Sequence, residues 1–201
     1  MINAVALNVK VHPTALIEAG VEIGSRTAIW NNVHIRAGAK IGSDCIIGEK
    51  SYIAYGVRVG SFVKINAFVY ICAGVTIEDF VMVSAGTVFT NDKFPRAFSP
   101  DMKTLAVSFP TEETLPTLVK KGATIGANVT VGSGLQIGEF AMIGMGSVVT
   151  ETVPAFYLVY GNPARHRGYV CRCGFVLKKL SCQRCGRSYR QKNGQITKRK
   201  R

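Results

Sequence analysis

Apolar residues recur along this chain at every sixth position. From Val11 to Phe89 the count runs without a fault, and it resumes in the same frame at Val119 and continues to Val149; nineteen of these twenty positions are Ile or Val. The fifth place of each hexad is small or β-branched, as at Ala15, Val21, Thr27 and Cys45, and it fails at Lys93. The fourth place is often Gly, Asn or Asp (Gly20, Asn32, Gly38, Asp44, Gly86, Asn128), residues that accept positive φ at low cost. Each hexad therefore offers two inward groups at strand period, and many add a left-handed corner. A helix would need apolar spacings of three and four, which this frame lacks. Short parallel strands stacked turn upon turn, an all-β solenoid, are what the pattern predicts.

The count breaks once, and the break defines an expected inserted loop over residues 90–118. Pro95, Pro100, Pro110 and Pro116 keep it from forming a long regular element. Loops of this length inside a compact domain are usually functional. A repeat that pauses on the polar run Thr90-Asn91-Asp92-Lys93 reads as a scaffold holding one working site.

Charge divides the chain unevenly. Residues 1–164 carry twelve Lys/Arg and twelve Asp/Glu, whereas residues 165–201 carry thirteen Lys/Arg and no acid. Only the tail is thus a candidate for a polyanion, and Lys198-Arg199-Lys200-Arg201 reads as a solvated end rather than a nucleic-acid site. Met1-Ile2-Asn3-Ala4 lacks the start of a signal peptide and no apolar run is long enough to cross a bilayer, so a cytoplasmic location without membrane insertion is expected. Four of the six cysteines, Cys171, Cys173, Cys182 and Cys185, form a C-x-C-x8-C-x2-C pattern. In a reducing compartment such a cluster reads as a structural zinc site in a small tail with hardly any core. The expected division is a β-helix domain over 1–165 and a basic four-cysteine zinc-ribbon-like tail over 166–201.

Motifs such as Ile41-Gly42-Ser43-Asp44-Cys45-Ile46 and Ile125-Gly126-Ala127-Asn128-Val129-Thr130 resemble those of the hexapeptide-repeat acyltransferases. The resemblance covers roughly residues 11–165 and implies a left-handed parallel β-helix with three hexads per triangular coil, an exception to the right-handed crossover. It also implies a homotrimer with acetyl-coenzyme A lying between neighbouring prisms. Gly161-Asn162-Pro163-Ala164-Arg165 resembles the family's exit from the helix near the coenzyme's nucleotide end, and Thr117–Asn128 resembles its re-entry. Gly122, Ala123, Ala127 and Arg165 are the cofactor-contacting positions this implies.

Phe89-Thr90-Asn91-Asp92-Lys93-Phe94-Pro95-Arg96 resembles the Phe-Thr-Asn-x-x-x-Pro-Arg motif of enzymes that N-acetylate nucleotide-linked 3-amino sugars for surface polysaccharides. The resemblance implies that the Asn91 amide orients the amine, with Asp92 taking the proton or anchoring a hydroxyl. Arg96 has the fork geometry to bind a carboxylate or pyrophosphate. His34 lies three coils, roughly 14 Å, below the loop start, a distance that suits a nucleotide-binding role. The acid that the subgroup carries ahead of this motif is replaced by Cys72-Ala73-Gly74-Val75, and its Asn-Asn pair by Ala67-Phe68, which leaves the acceptor sugar open. Two alternatives stand beside this: a hexapeptide O-acetyltransferase using His34 as base, and a non-catalytic trimeric scaffold whose tail binds a partner or nucleic acid. Three mutually remote histidines (His12, His34, His166) do not suit the zinc-dependent carbonic anhydrases of this fold.

Overall fold

The computed structural model describes residues 4–5, 7–107, 109–112, 114–192 and 195–199. Met1–Asn3 and Lys200–Arg201, which carry part of the leader and basic-end expectations, lie outside the described residues.

Mostly two- and three-residue strands wind into a left-handed β-helix with three sheets, seven, nine and seven strands deep and parallel except for the last strand of the second, and no helix among the described residues. Partners lie eighteen residues apart, one coil of three hexads. Glu22 pairs with Lys40 and Lys40 with Arg58 on the first face, Ala28 with Ile46 and Ile46 with Lys64 on the second, and His34 with Tyr52 and Tyr52 with Tyr70 on the third. The first residue of each pair points out and the hexad Ile or Val points in, so Ile35, Ile47, Ile65 and Ile125 are fully buried. Among the described coils only the first departs from this: Val11 is exposed and Ile17 half-buried, with no described coil below to cover them. Ile65→Ala is expected to cost about 2–5 kcal/mol in a denaturant melt, since neighbouring coils are hydrogen-bonded in register and cannot collapse into the void.

The coils pack closely enough to select glycine on the faces as well as at corners. A Cβ at Gly42 would lie 2.5 Å from the Gly60 carbonyl carbon of the next coil. At the corners the structure is less selective than the sequence pattern implies. Arg26, Lys50, Phe62, Phe68, Phe80 and Phe140 all hold positive φ, alongside the expected Gly, Asn and Asp. Every coil must turn by the same angle, so the corner conformation is imposed whatever the residue. The resulting rings find compensation in stacking, as between Phe62 and Phe80 at 5.0 Å with planes 3° apart.

The irregular loop leaves the prism after Val88–Phe89 and ends at Pro116, two residues earlier than expected. Thr117 and Leu118 already pair with Val75 and Thr76, which makes them part of the strand Thr117–Val119. At the far end, Tyr157–Tyr160 extends the second face and Arg165–Tyr169 returns antiparallel along it. The expected boundary at 165/166 falls inside that strand, so prism and tail are joined by a ladder rather than a linker. Two cysteine turns and the hairpin Tyr189–Lys192/Gln195–Lys198 follow. Buried Cys171, Cys182, Tyr189 and Ile196 form a small second core against Phe156 and Tyr169.

Candidate functional site

The loop stands at the corner between the third and first faces, in line with Gly56, Gly74 and Gly134. Its root is fixed by Thr90, whose backbone N–H and hydroxyl both donate to the Val131 carbonyl at 3.0 and 3.2 Å. Asn91 follows, half-buried, directly beyond the buried Phe89 ring. Asp92 Oδ1 accepts the Phe94 N–H at 2.8 Å, closing an Asx turn immediately after Asn91. Arg96 is exposed and donates only to the Pro95 carbonyl among its recorded bonds. Further on, Phe98 and Leu105 form a small bridge, and the return limb rests on the prism through Phe109 against Tyr55 at 6.1 Å. Thr114 and Leu115 then cover Gly74, where an added Cβ would sit 3.0 Å from the Thr114 methyl. The loop's large apolar side chains are mostly exposed: Phe94 79%, Met102 73%, Leu105 83%, Val107 75% and Phe109 67%.

Below the loop, the third face carries a polar-aromatic column. His34 Nε2 lies 2.9 Å from Glu18 Oε1, and its ring meets Tyr52 edge-on at 5.4 Å. Tyr52 stacks on Tyr70 at 5.1 Å, and Arg36 donates to the Tyr52 hydroxyl at 2.9 Å while lying 4.0 Å from the Tyr55 ring centre. Burial acts to raise the Glu18 carboxyl's pKa, but the Ala37 N–H, His34 and Arg36 outweigh it and hold the group below its ordinary value. The carboxylate therefore stays ionised beside His34 at neutral pH. Acidification through that depressed pKa removes the carboxylate's charge and with it the pairing.

The expected site residues are distributed over the prism. Asn91, Asp92 and Arg96 share one short segment, and His34 lies on the same face three coils away with Tyr52 and Tyr70 between them. Gly122 turns the opposite corner, between the first and second faces, with φ +69°. Ala123 points into the core and is fully buried, and its N–H and carbonyl are spent on Lys120 and Met82, so it has no group to offer a ligand. Ala127 turns the corner between the second and third faces and gives its carbonyl to Gly146. Arg165 lies 3.6 Å from Glu151 at the prism's end. Within one chain, Asn91 and Ala127 thus occupy opposite edges of the third face.

Sequence reasoning missed Glu18, Arg36, Tyr52, Tyr55, Tyr70 and Phe109. A step of eighteen rather than six marks Glu18–Arg36 and His34–Tyr52–Tyr70 as vertical neighbours. Nothing local marks Phe109, which reaches Tyr55 only through the loop's path. Cys72 is buried, and burial pushes its thiol up to about 11, so it is protonated at neutral pH and no nucleophile stands in the place of the missing acid.

The tail cysteines come together as a tetrad. All four Sγ atoms lie within 4.8 Å of one another, with Cys171–Cys185 at 3.4 Å and Cys173–Cys182 at 3.6 Å. A tetrahedral ion with metal–sulfur bonds of about 2.3 Å spaces its ligands at about 3.8 Å, so the donor set fits a closed metal site. The first turn is closed by the Gly174 N–H on the Cys171 carbonyl, the second by Gly186 on Cys182. Arg172 N–H donates to the Tyr189 hydroxyl at 2.9 Å, which orients that hydroxyl toward Cys171 Sγ at 3.1 Å. The Arg187 backbone N–H holds the Cys185 thiol down to about 6, from an ordinary 9.0.

Residues 24–55 match the family described as bacterial transferase hexapeptide (six repeats), and residues 116–151 the hexapeptide repeat of succinyl-transferase. Over 84 residues, 40% of its length, the chain is 50% identical to a dTDP-3-amino-3,6-dideoxy-alpha-D-galactopyranose 3-N-acetyltransferase of Aneurinibacillus thermoaerophilus. The match spans 44% of that relative. It is also 38% identical over 76 residues, 38% of its length, to the bifunctional protein GlmU of Thermotoga petrophila, of which it spans 16%. The chain therefore covers less than half the length of these curated relatives. Among solved structures, a mutant of AntD, an N-acyltransferase from Bacillus cereus crystallised with dTDP and coenzyme A, shares the fold. Its TM-score is 0.52 at 21% identity, covering 82% of this chain and 84% of that one. The fold and the matched repeats define a hexapeptide-repeat β-solenoid protein. Over its 84-residue matched segment the chain is homologous to that 3-N-acetyltransferase.

Proposed function

We propose that this protein is an acetyl-coenzyme A-dependent N-acetyltransferase acting on the amino group of a nucleotide-activated amino sugar, in surface-polysaccharide synthesis in the cytoplasm. The observation that carries the reading is the 50% identity to a 3-N-acetyltransferase of a dTDP-linked amino sugar. A prism with one interruption, opening on Asn91 and Asp92, supports it. A sugar amine is a competent nucleophile once deprotonated, so the chain's task is to hold it against the thioester. The Asn91 amide oxygen accepts an amine N–H and aims the lone pair at the acyl carbon. The C–N bond forms as the C–S bond breaks, the thiolate leaves, and the ammonium proton passes to Asp92 or to solvent. Arg96 binds a carboxylate or the pyrophosphate. The acyl donor lies along the prism near Gly122, Ala127 and Arg165, with the buried Ala123 in the core behind Gly122.

A homotrimer supplies the geometry that one chain lacks. Asn91 and Ala127 lie on opposite edges of one face, so the loop of one copy and the corner of the next would close a single groove. The exposed apolar side chains of the loop are what such an interface would cover. Zinc held by the four cysteines completes the tail as a structural ion with no open position, and the basic tail contacts phosphates of small ligands rather than nucleic acid. The test is incubation with acetyl-coenzyme A and a panel of dTDP-, UDP- and GDP-linked amino sugars, read by mass spectrometry. Gain of one acetyl group by a member of the panel is expected; no transfer to any member overturns the reading.

A second reading, an O-acetyltransferase with His34 as base, draws on the Glu18–His34 contact, since a carboxylate-oriented imidazole suits general-base work. His34→Ala separates the two. The N-acetyltransferase reading expects kcat within about threefold and a raised KM for the nucleotide sugar. A loss of kcat by about 10² or more, with a sugar hydroxyl as acceptor, replaces it with the base mechanism.

A further inference from the structure

The corner between the first and second faces carries a ladder of which the acyl-transfer reading uses only Gly122. At eighteen-residue steps it runs Arg26, Asp44, Phe62, Phe80, then past the loop to Gly122 and Phe140, with Phe156 stacked beyond at 5.5 Å. Gly122 is the one rung without a side chain between two pairs of stacked rings. Phe140 leans over it, for an added Cβ there would lie 2.3 Å from the ring. Between Phe80 and Phe140 lies a half-open cavity of about 390 Å³, lined on one side by the first cysteine turn, Cys171–Gly174. That is the lower end of the range for small-molecule sites.

Its lining holds two cationic side chains, Lys121 and Arg172, beside Cys171 and Cys173 of the tetrad, and each cation is held against a ring. Lys121 Nζ lies 5.2 Å from the Phe80 centroid, and the Arg172 guanidinium 5.1 Å from that of Phe140. Neither forms an ion pair among the described residues, whereas the adjacent Lys120 pairs with Glu78 and Arg26 with Asp44. No carboxylate lines the cavity. Two unpaired cations facing an aromatic slot match a ligand that is planar at one end and multiply anionic at the other.

We propose that this seam between prism and cysteine tail binds a nucleotide, with the base between Phe80 and Phe140 and the phosphates on Lys121 and Arg172. The cysteine turn delivers Arg172 to the prism, so the tail completes a ligand site in addition to capping the solenoid. Two sources offer this chemistry, the adenine nucleotide end of a coenzyme and the nucleotide of an activated sugar. The proposal stands apart from the acyl-transfer reading, because it concerns binding of the nucleotide alone.

Calorimetric titration of the full chain with adenosine 3′,5′-bisphosphate, dTDP and inorganic pyrophosphate tests it. At least one nucleotide is expected to bind about tenfold more tightly than pyrophosphate, with Lys121→Ala and Arg172→Ala each weakening it about fivefold. Preference for the adenine compound identifies the coenzyme as source, and preference for dTDP the activated sugar. Absence of binding, equal binding of pyrophosphate, or native affinity in both variants overturns the proposal. Photolabelling of the unmutated chain with an 8-azidoadenine or 5-azidouracil nucleotide avoids any folding defect of the variants. Label in residues 121–124 or 171–174 supports the seam, and label confined to other peptides overturns it. Failure of acetyl transfer with this binding intact would remove the enzymatic reading alone.

Discussion

Asn91→Ala is expected to lower kcat by about 10²- to 10³-fold while leaving the affinity for coenzyme A within about threefold. The half-buried amide lies two residues beyond the buried Phe89, next to Thr90, which ties the loop root to Val131. Removing it leaves the amine bound but free to rotate away from the thioester, a loss felt in the transition state more than in the ground state. Asn91→Asp keeps the accepting oxygen and is expected to retain more activity than Asn91→Ala. Steady-state kinetics with the acceptor found by mass spectrometry, together with coenzyme binding by calorimetry, checks both. Full turnover in Asn91→Ala would move the reacting centre away from the loop root. The thermal midpoint is expected to stay unchanged, since no hydrogen bond of the prism involves the Asn91 side chain among those recorded.

Cys182→Ser carries the largest expected structural effect. The tail's buried residues are few, and two of them, Cys171 and Cys182, are themselves candidate metal ligands. Structural zinc contributes about 10–16 kcal/mol to folding of modules this small. Loss of one thiolate is therefore expected to abolish stoichiometric zinc and unfold residues 171–199 while the prism stays folded, held by its own hydrogen-bonded coils. Metal analysis, and hydrogen exchange resolved between prism and tail, give the two readouts. Native protection of the tail in zinc-free Cys182→Ser would make the small core sufficient without a metal. Acid should act in the same direction. A thiol held at about 6 rather than 9.0 favours the fold fully above pH 9, and that contribution falls as pH drops toward 6, where protons displace the metal.

How much of this was legible beforehand follows from the period of the repeat. A step of six states which side chains point inward, and the buried Ile and Val of every coil but the first follow it. The same count locates the loop, because Lys93 cannot be buried where a small apolar group belongs. The four-cysteine spacing likewise points to a metal, since few other arrangements explain four thiols in so short a tail. Ala123 shows the limit of motif transfer: its neighbours Gly122 and Thr124 face outward, yet its own methyl is core.

Vertical neighbours are another matter. Whether Glu18 meets His34 and Arg36, or Phe80 faces Phe140 across Gly122, depends on how many hexads close one coil, and on a loop of more than two dozen residues re-entering in register. Neither quantity is written in any single hexad. The sequence by itself determined the inward pattern, the break and the cysteine cluster, all of which are local in the chain. Tertiary structure alone decided which outward residues form columns and that the cysteine turn lines a cavity on the prism. Those contacts join positions sixteen or more residues apart, through coil closure and the return strand Arg165–Tyr169.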